Sequence, residues 1–479
     1  MPSRAVSELE YLTDRFSNSV HSRDLRGIER SIFEISILLR RFDIPTELVK
    51  EYASSLWREV NDARDRGIIA SSIVEDIRHL LIDRIQPDTR EQKAIREKRK
   101  KEEAKKVLET KLKRIAKIEI APEQPVLFFL GAGASKPAPS SIPTVSEMLG
   151  ELWKKSNKME NKPLAKLEAW CKENQIENIE EMLTGVTLSD FMIRNRKVHN
   201  LLNSVLYPEW GSLKELSIRD VESVSSFQNM IDTFFSLLVG TMLNAQPNPI
   251  HEAIVNFISS FGNTKIVTTN YDVCMDQALD KANTDYSYII ESQKNNNAIP
   301  LIKMHGSINW FYCQTCQHVL MPTVENMRLS INNDVPYAVT GMCPVCTAPT
   351  KQFIVPPTTY KFLIYPPIVQ VWNAGREIFE NSKFYVIIGY SFSLADDYIS
   401  KMLLKAIRED PTKQLIILDK SEETIERFKD YVRTHTVRFE EESFHSFIGP
   451  AEDIAPKVID ALMRKKKVKK GKKKATPSS

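Results

Sequence analysis

Four of the six cysteines fall into two short pairs, "CQTC" at 313–316 and "CPVC" at 343–346, with 26 residues between them. Two residues between paired sulfurs let both reach one tetrahedral ion, so Cys313, Cys316, Cys343 and Cys346 together complete a closed four-thiolate zinc site. Such a site leaves no open coordination position, and its zinc is structural rather than catalytic. A redox dithiol is the other chemistry open to a CxxC, disfavoured because two pairs occur together. The gap exceeds the usual spacing of about 15–20 residues, which predicts a hairpin or extra loop between the pairs, and Pro344 suits a tight turn. Cys171 and Cys274 lie in apolar periodic contexts and read as core residues.

A second set of chemically capable residues follows hydrophobic runs. "FFLGAGASKP" (128–137) passes from bulky side chains to Gly131, Gly133 and Ser135. A strand, a glycine turn and a helix make a phosphate site, because glycine lets the backbone approach the ligand and free amides face negative charge. No GKS or GKT follows, and Lys136 stands where GxGxxG has its third glycine, so the stretch alone fits a structural turn as well as a phosphate loop. "VTTNYD" (267–272), "IKMHGSINW" (302–310) and "VIIGYSFSLADD" (386–397) end apolar runs in the same way. They bring Asn270 and Asp272, then His305, then Gly389 and Ser391. A lone histidine is more often structural, but one beside Gly-Ser at a predicted strand end reads as a functional residue.

The elements that must position these residues are legible in the texture of the chain. "VLFFL" (126–130), "KIVTT" (265–269), "LIKM" (301–304), "FYVIIG" (384–389) and "QLIILD" (414–419) are short β-rich runs separated by helical stretches. That pattern predicts an α/β fold, a Rossmann-like parallel sheet covered on both faces, whose strand ends converge on one crevice. A long helical insertion is expected over about 145–260. Residues 1–87 read as an all-α domain, regulatory or oligomerising, with apolar positions such as Leu25, Ile28, Ile32, Ile35 and Leu39 at helical steps. The segment 88–120 is predicted to be a charged helical linker, with a nucleic-acid-binding arm as the alternative. The sheet domain spans 121–450, its zinc module about 311–350, and 451–479 holds a terminal helix and a disordered lysine-rich tail.

Composition narrows the function classes. A chain of 479 residues exceeds one ordinary core. Nine basic residues lie between Arg464 and Lys474, and subtracting them from the net charge of +4 leaves the body at −5. That distribution argues against a broad nucleic-acid-binding face and leaves the lysine tail only nonspecific contact with polyanions, if any. "MPSRAVSELEYL" has no apolar signal-peptide core, and stretches such as "FFSLLVGTML" are about half the ~20 residues of a membrane span. A cytoplasmic protein without membrane partners is expected, its cysteines thiols or metal ligands.

GAGAS, TTNYD, HGS followed at once by CxxC…CxxC, and GYS occur in the order of the sirtuin superfamily, and the resemblance covers roughly residues 125–447. It implies a Rossmann-like NAD-binding domain with a small zinc module. Gly131, Ala132, Gly133 and Ser135 would cradle the pyrophosphate. Thr269, Asn270 and Asp272 would line the nicotinamide and its ribose, and His305 would be the base near that ribose. Gly389 and Ser391 would contact phosphate or ribose, and Asp419 would lie near the adenosine ribose.

The departures narrow the resemblance. Protein-deacylating sirtuins follow the first loop with Gly-Ile-Pro-Asp-Phe-Arg, where this chain has "SIPTVSEM" (141–148) and no matching arginine. They follow the second CxxC with Phe-Gly-Glu, where this chain has "TKQFIVPPTTYKF" (350–362). With TTNYD and "NIEEMLT" (178–184), these features resemble the sirtuin-like proteins of prokaryotic antiphage defence, which hydrolyse NAD. The implied activity is an NAD glycohydrolase; lysine deacylation and non-catalytic sensing of NAD are the alternatives. A homo-oligomer and a defence-system partner protein are expected, and because constitutive NAD loss would poison the host, a gate is expected from the N-terminal helices or from that partner protein. The helices "LLRRFDIPTELVKEYASSLWREV…SSIVEDIRHLLIDRI" are similar to the helical part of ATP-cone domains, without the basic hairpin that precedes it.

Overall fold

The computed structural model describes residues 3–22, 24–41, 46–66, 77, 90–173, 175–183, 224–290, 298–327, 342–355, 366–392, 396–435 and 443–471. They divide into two compact units, Met1–Leu108 and Glu109–Ser479. In the first unit the expected helices form over Ser3–Ser22, Leu25–Arg41 and Thr46–Asp65. Leu12, Phe16 and Val20 are buried on the first, and Ile28, Ile32 and Ile35 on the second, which is the three- and four-residue spacing of one helix face. Arg15 and Glu34 join the two helices at 2.7 Å. The third expected run, 71–85, lies outside the described residues except at Ile77. The charged segment is helical over Arg90–Ile115, and the unit boundary falls within it.

The second unit is an α/β fold built on a Rossmann-like sheet. Its strands are β1 (Val126–Leu130), β2 (Thr264–Thr268), β3 (Tyr286–Ser287), β4 (Ile299–Lys303), β8 (Phe384–Ile388), β9 (Gln414–Asp419) and β10 (Phe444–Ile448), in spatial order β10-β9-β8-β1-β2-β4-β3. Every pairing is parallel. The chain moves outward from β1 through β2 to β3 at the edge, steps back to β4 between them, then returns to the other side of β1 for β8, β9 and β10. The switch point, where such sheets open a ligand crevice, is therefore the gap between the carboxyl ends of β1 and β8.

Alternation along β1 explains why that strand is apolar throughout. Phe128 packs edge-on against Phe257 of the helix Pro249–Ile258, with centroids 5.1 Å apart. Its neighbour Phe129 faces the opposite side and meets Phe379 of the helix Ile368–Asn381 at 5.4 Å. The expected insertion is helical over Val145–Asn157, Ala165–Glu173 and Val224–Leu243. These helices bury Leu152, Leu167, Phe234 and Leu238 in a separate core shared with Cys171, Val273 and Cys274. Burial pushes the Cys171 thiol up to about 12 and raises Cys274 as well, so both remain protonated core residues.

A small antiparallel sheet projects from β4. It contains β5 (Gly306–Cys313), β6 (Val319–Leu320) and β7 (Thr350–Ile354), in order β6-β5-β7. The β5–β7 register shifts between Gly306 and Phe311. Gln352 covers the carbonyls freed there, donating to Ile308 O at 2.7 Å. At the far end of the chain the helix Ala451–Gly471 continues past Met463, where the sequence predicts the start of a disordered tail; 472–479 lie outside the described residues.

Gly389 holds a left-handed backbone, φ +62°, and a Cβ there would stand 2.5 Å from Gly133 Cα. Gly389→Ala therefore meets both backbone strain and a steric block. A loss of about 1–3 kcal/mol is expected, read as a lowered denaturation midpoint in urea.

Candidate active site

Two hydrogen bonds tie the glycine loop to the strand across the switch point: Gly131 N donates to Ile388 O at 3.0 Å and Gly133 N to Gly389 O at 2.9 Å. A Cβ on Gly131 would stand 2.5 Å from Gly389 O, and one on Gly133 2.7 Å from Gly389 Cα. The three glycines thus let two backbones touch at the crevice floor. The helix after the loop is one turn, Ala132–Ser135, and the chain passes through a cis Ala138–Pro139 bond before the insertion.

Asn270 is fixed on this floor. Its backbone N donates to Thr268 Oγ1 at 3.0 Å, and Thr268 Oγ1 donates to Leu130 O at 2.9 Å. Thr269 N reaches the same carbonyl at 3.1 Å. The Asn270 side-chain amide donates to Gly131 O at 3.0 Å and to Ser135 Oγ at 3.2 Å. Both amide protons have protein acceptors, so Asn270 Oδ1 remains as an acceptor for a ligand or water.

Ser135 is also held by His251, a residue that sequence reasoning missed. "NPIHEAI" starts the helix Pro249–Ile258 with a capping box: Asn248 Oδ1 accepts from Ile250 N at 2.9 Å, and His251 Nδ1 accepts from Asn248 N at 3.2 Å. With Nδ1 accepting, Nε2 carries the proton and faces Ser135 Oγ at 3.5 Å. Burial pushes His251 down to about 4, against the pull of the Asp272 and Asp276 carboxylates. The signal was the Asn-Pro-x-His cap itself, which reads as a helix start rather than as part of a site.

Asp272 is buried, and its Oδ1 accepts the Cys274 amide at 2.9 Å, opening the helix Cys274–Lys281. The loop is anchored from beneath by a second missed residue, Lys303, a fully buried lysine in the apolar run of β4. Its ammonium donates to Asp272 O and Ser307 Oγ, both at 2.7 Å, and pairs with Asp276 at 2.8 Å. Tyr288 donates to the other oxygen of Asp276, and Asn309 reaches the Tyr288 hydroxyl at 3.3 Å. A buried ion pair persists when hydrogen bonds compensate its desolvation, and here two of the ammonium protons are donated to oxygen while the charge faces Asp276.

His305 follows β4. Its ring centroid lies 6.2 Å from that of Tyr271 and 6.3 Å from that of Trp372, and its Nε2 is 2.8 Å from Asp396 Oδ1. The backbone is secured on both sides: Met304 N donates to Thr268 O at 2.9 Å, and Val355 N to His305 O at 2.8 Å. Asp396 lies in the "SLADD" stretch and carries no helical or strand periodicity that would mark it. On the other side of the switch point, Ser391 is exposed, and its carbonyl accepts from Arg427 at 2.6 Å. Asp419 is half-buried at the end of β9, where its carboxylate accepts Ser421 N at 2.8 Å and burial pushes it up.

The four cysteines gather at the outer end of β5. Their sulfurs all lie within 4.8 Å of one another, with Cys313–Cys346 at 3.4 Å and Cys316–Cys343 at 3.5 Å. Those separations exceed an S–S bond of about 2.0 Å. They approach the ~3.8 Å edge of a tetrahedron with zinc–sulfur bonds of about 2.3 Å. The two turns also repeat each other. Gln317 N donates to Cys313 O and Thr347 N to Cys343 O, both at 2.8 Å. Cys313 N and Cys343 N then donate to His318 O and Ala348 O, while Gln317 and Thr347 adopt φ of +61° and +59°. Two such matched knuckles suit a zinc ion. The length of β5, about 20 Å, separates the cluster from His305, so an ion there holds the small sheet and takes no part at the crevice.

The arrangement defines a parallel α/β sheet that gathers polar groups past the carboxyl ends of its strands, with a four-thiol module on the adjoining small sheet. Residues 264–439 match the family model of the SIR2-like domain. This match supports the sirtuin superfamily for a segment that holds Asn270, Asp272, His305, the cysteines and Asp396, while the glycine loop and His251 lie upstream of it. Among solved structures, one described as the structural basis for the mechanism and regulation of Sir2 enzymes is 15% identical, with 75% of this chain and 98% of that chain covered and a TM-score of 0.37. A Sir2 bound to acetylated peptide is 12% identical, with 71% and 93% covered and a TM-score of 0.33. No curated protein matches the sequence.

Two measurements check this geometry. Elemental analysis is expected to return one zinc per chain, and Cys313→Ser with Cys343→Ser to abolish it and lower the melting temperature. The second concerns acid. His251 is neutral in the fold down to about pH 4, whereas an unfolded histidine takes a proton near 6.5. The unfolded state therefore binds more protons between those values, and stability falls as pH is lowered from 6.5 to 4, by about 3 kcal/mol from this group. His251→Gln is expected to flatten the slope of stability against pH in that window.

Proposed function

We propose that this chain cleaves the nicotinamide–ribose bond of NAD with water as acceptor, releasing ADP-ribose and nicotinamide. Two observations support the reading: Asn270 is hydrogen-bonded to the glycine loop after β1, and His305, which follows β4, pairs with Asp396, which follows β8, so these polar groups all lie past the carboxyl ends of parallel strands, within and next to a SIR2-like segment. Breaking the bond to a cationic leaving group develops positive charge on the ribose. The buried Asp272 carboxylate supplies the opposite charge. Asn270 Oδ1 accepts from a ribose hydroxyl or the attacking water, and His305 takes up a proton. Zinc, held by Cys313, Cys316, Cys343 and Cys346, supports the fold and supplies no step.

Water as acceptor is favoured by the segment immediately after the first loop. Thr144 and Glu147 form a capping box that starts the helix Val145–Asn157, and Lys136 is bound to Glu147. Hydrogen bonds from Lys136 and from Thr144 pull Glu147 down to about 2, so this clasp stays charged at neutral pH. The chain there presents no arginine to an acyl substrate. The resemblance extends the reading to antiphage defence in prokaryotes, with NAD loss as the effect and the N-terminal helices or a partner protein as the gate.

The test is incubation with NAD, with and without an acetylated peptide, resolving ADP-ribose, cyclic ADP-ribose and acetyl-ADP-ribose. ADP-ribose is expected without peptide, and His305→Ala and Asn270→Ala are each expected to lower its formation at least about 10²-fold. Acetyl-ADP-ribose formed only with peptide would replace hydrolysis by deacylation, and NAD bound but left intact would make the chain a sensor.

A further inference from the structure

The two ring nitrogens of His305 have different surroundings. Nε2 is 2.8 Å from Asp396 Oδ1, and the two side chains are 2% and 5% exposed. Nδ1 is buried and meets no hydrogen-bond partner among the described residues. An ionised carboxylate only accepts, so the pair places the imidazole proton on Nε2 and leaves Nδ1 as a bare acceptor. Buried polar atoms are nearly always paired, and one left open beside a crevice points to a ligand group that completes it.

Asp396 is also oriented unusually. It stands at the N-cap of the helix Asp397–Glu409, a position where aspartate ordinarily bonds its own helix amides, yet its side chain makes no cap hydrogen bond there. The carboxylate reaches His305 instead. The ring is prevented from turning by its neighbours, both of which are tied to adjacent backbone. Trp372 Nε1 donates to Met304 O at 2.8 Å, and the Tyr271 hydroxyl to Val355 O at 3.2 Å.

We propose that Asp396 is the positioning residue of the His305 base: it holds the imidazole as the Nε2–H tautomer, so that Nδ1 receives the proton of a ribose hydroxyl. This rests on the NAD-cleaving reading above. The oxygen keeps the electron pair of its broken O–H bond, the proton forms an N–H bond at Nδ1, and the resulting positive ring faces the Asp396 carboxylate, which is not itself protonated. The same proton returns to solvent when product leaves.

The experiment compares wild type with Asp396→Asn, Asp396→Glu and His305→Gln by two readouts. In NAD turnover, Asp396→Asn is expected to lower kcat about 10²-fold with KM changed less than about threefold, and Asp396→Glu to recover at least about tenfold of that loss. In two-bond proton–nitrogen spectra of histidine-labelled protein, the signal lost in His305→Gln identifies His305. It is expected to show the proton on Nε2 in wild type and a shift toward Nδ1 in Asp396→Asn. A wild-type His305 protonated on Nδ1 would overturn the proposal, as would an Asp396→Asn chain with wild-type kcat and tautomer. If wild type leaves NAD intact, the proposed function fails on that result, and the tautomer spectra still decide the role of Asp396. Should Asp396→Asn fail to fold, the wild-type spectrum alone decides it.

Discussion

The backbone contact between Gly133 and Gly389 is the constraint on which the rest of the site depends. Two strands that are neighbours in the sheet, yet far apart in the chain, must end at the same height with their loops in touch. Any side chain at these positions would wedge the loops apart. With them in contact, Gly131 O stands where the Asn270 amide can reach it, and Asn270 in turn fixes Ser135. In the sequence the glycines read as room for a ligand. The structure adds an earlier requirement, since the crevice floor has to close before a ligand can rest on it.

Much of the fold was legible because it is written in short-range patterns. The apolar runs at 126–130, 384–389 and 414–419 became β1, β8 and β9, since strands buried on both faces need no polar alternation. The cysteine pairs were legible from spacing alone, because the reach of two sulfurs is set within four residues. The residues that sequence reading missed act across long separations. Asp396 is 91 positions from His305 and His251 is 116 from Ser135, and neither has a local pattern that would announce its partner. Lys303 was hidden differently, since a lysine in an apolar strand looks like an interruption until its two acceptors and its carboxylate partner are seen.

The crevice is assembled by three layers of restraint. Main-chain bonds set the height of the strand ends, and buried polar groups orient the loop after β2. Aromatic rings tied to backbone flank the His305 imidazole, and Asp396 bonds its Nε2. These layers come from different parts of the chain. The insertion core reaches the same place through Val273 and Cys274, which open the helix behind Asp272. The helical insertion is thus part of the support for the loop rather than an appendage on the sheet.

Lys303 gives the interior a particular character. An apolar side chain of similar size could fill the space beneath the loop, but dispersion contacts tolerate small rotations, whereas an ammonium with two fixed acceptors and a paired carboxylate does not. The loop is therefore indexed like a part on two dowel pins, with the ion pair to Asp276 behind them. Its angular setting is transmitted directly between the strand that carries His305 and the turn that carries Asn270 and Asp272, and the two halves of the crevice keep a common frame of reference.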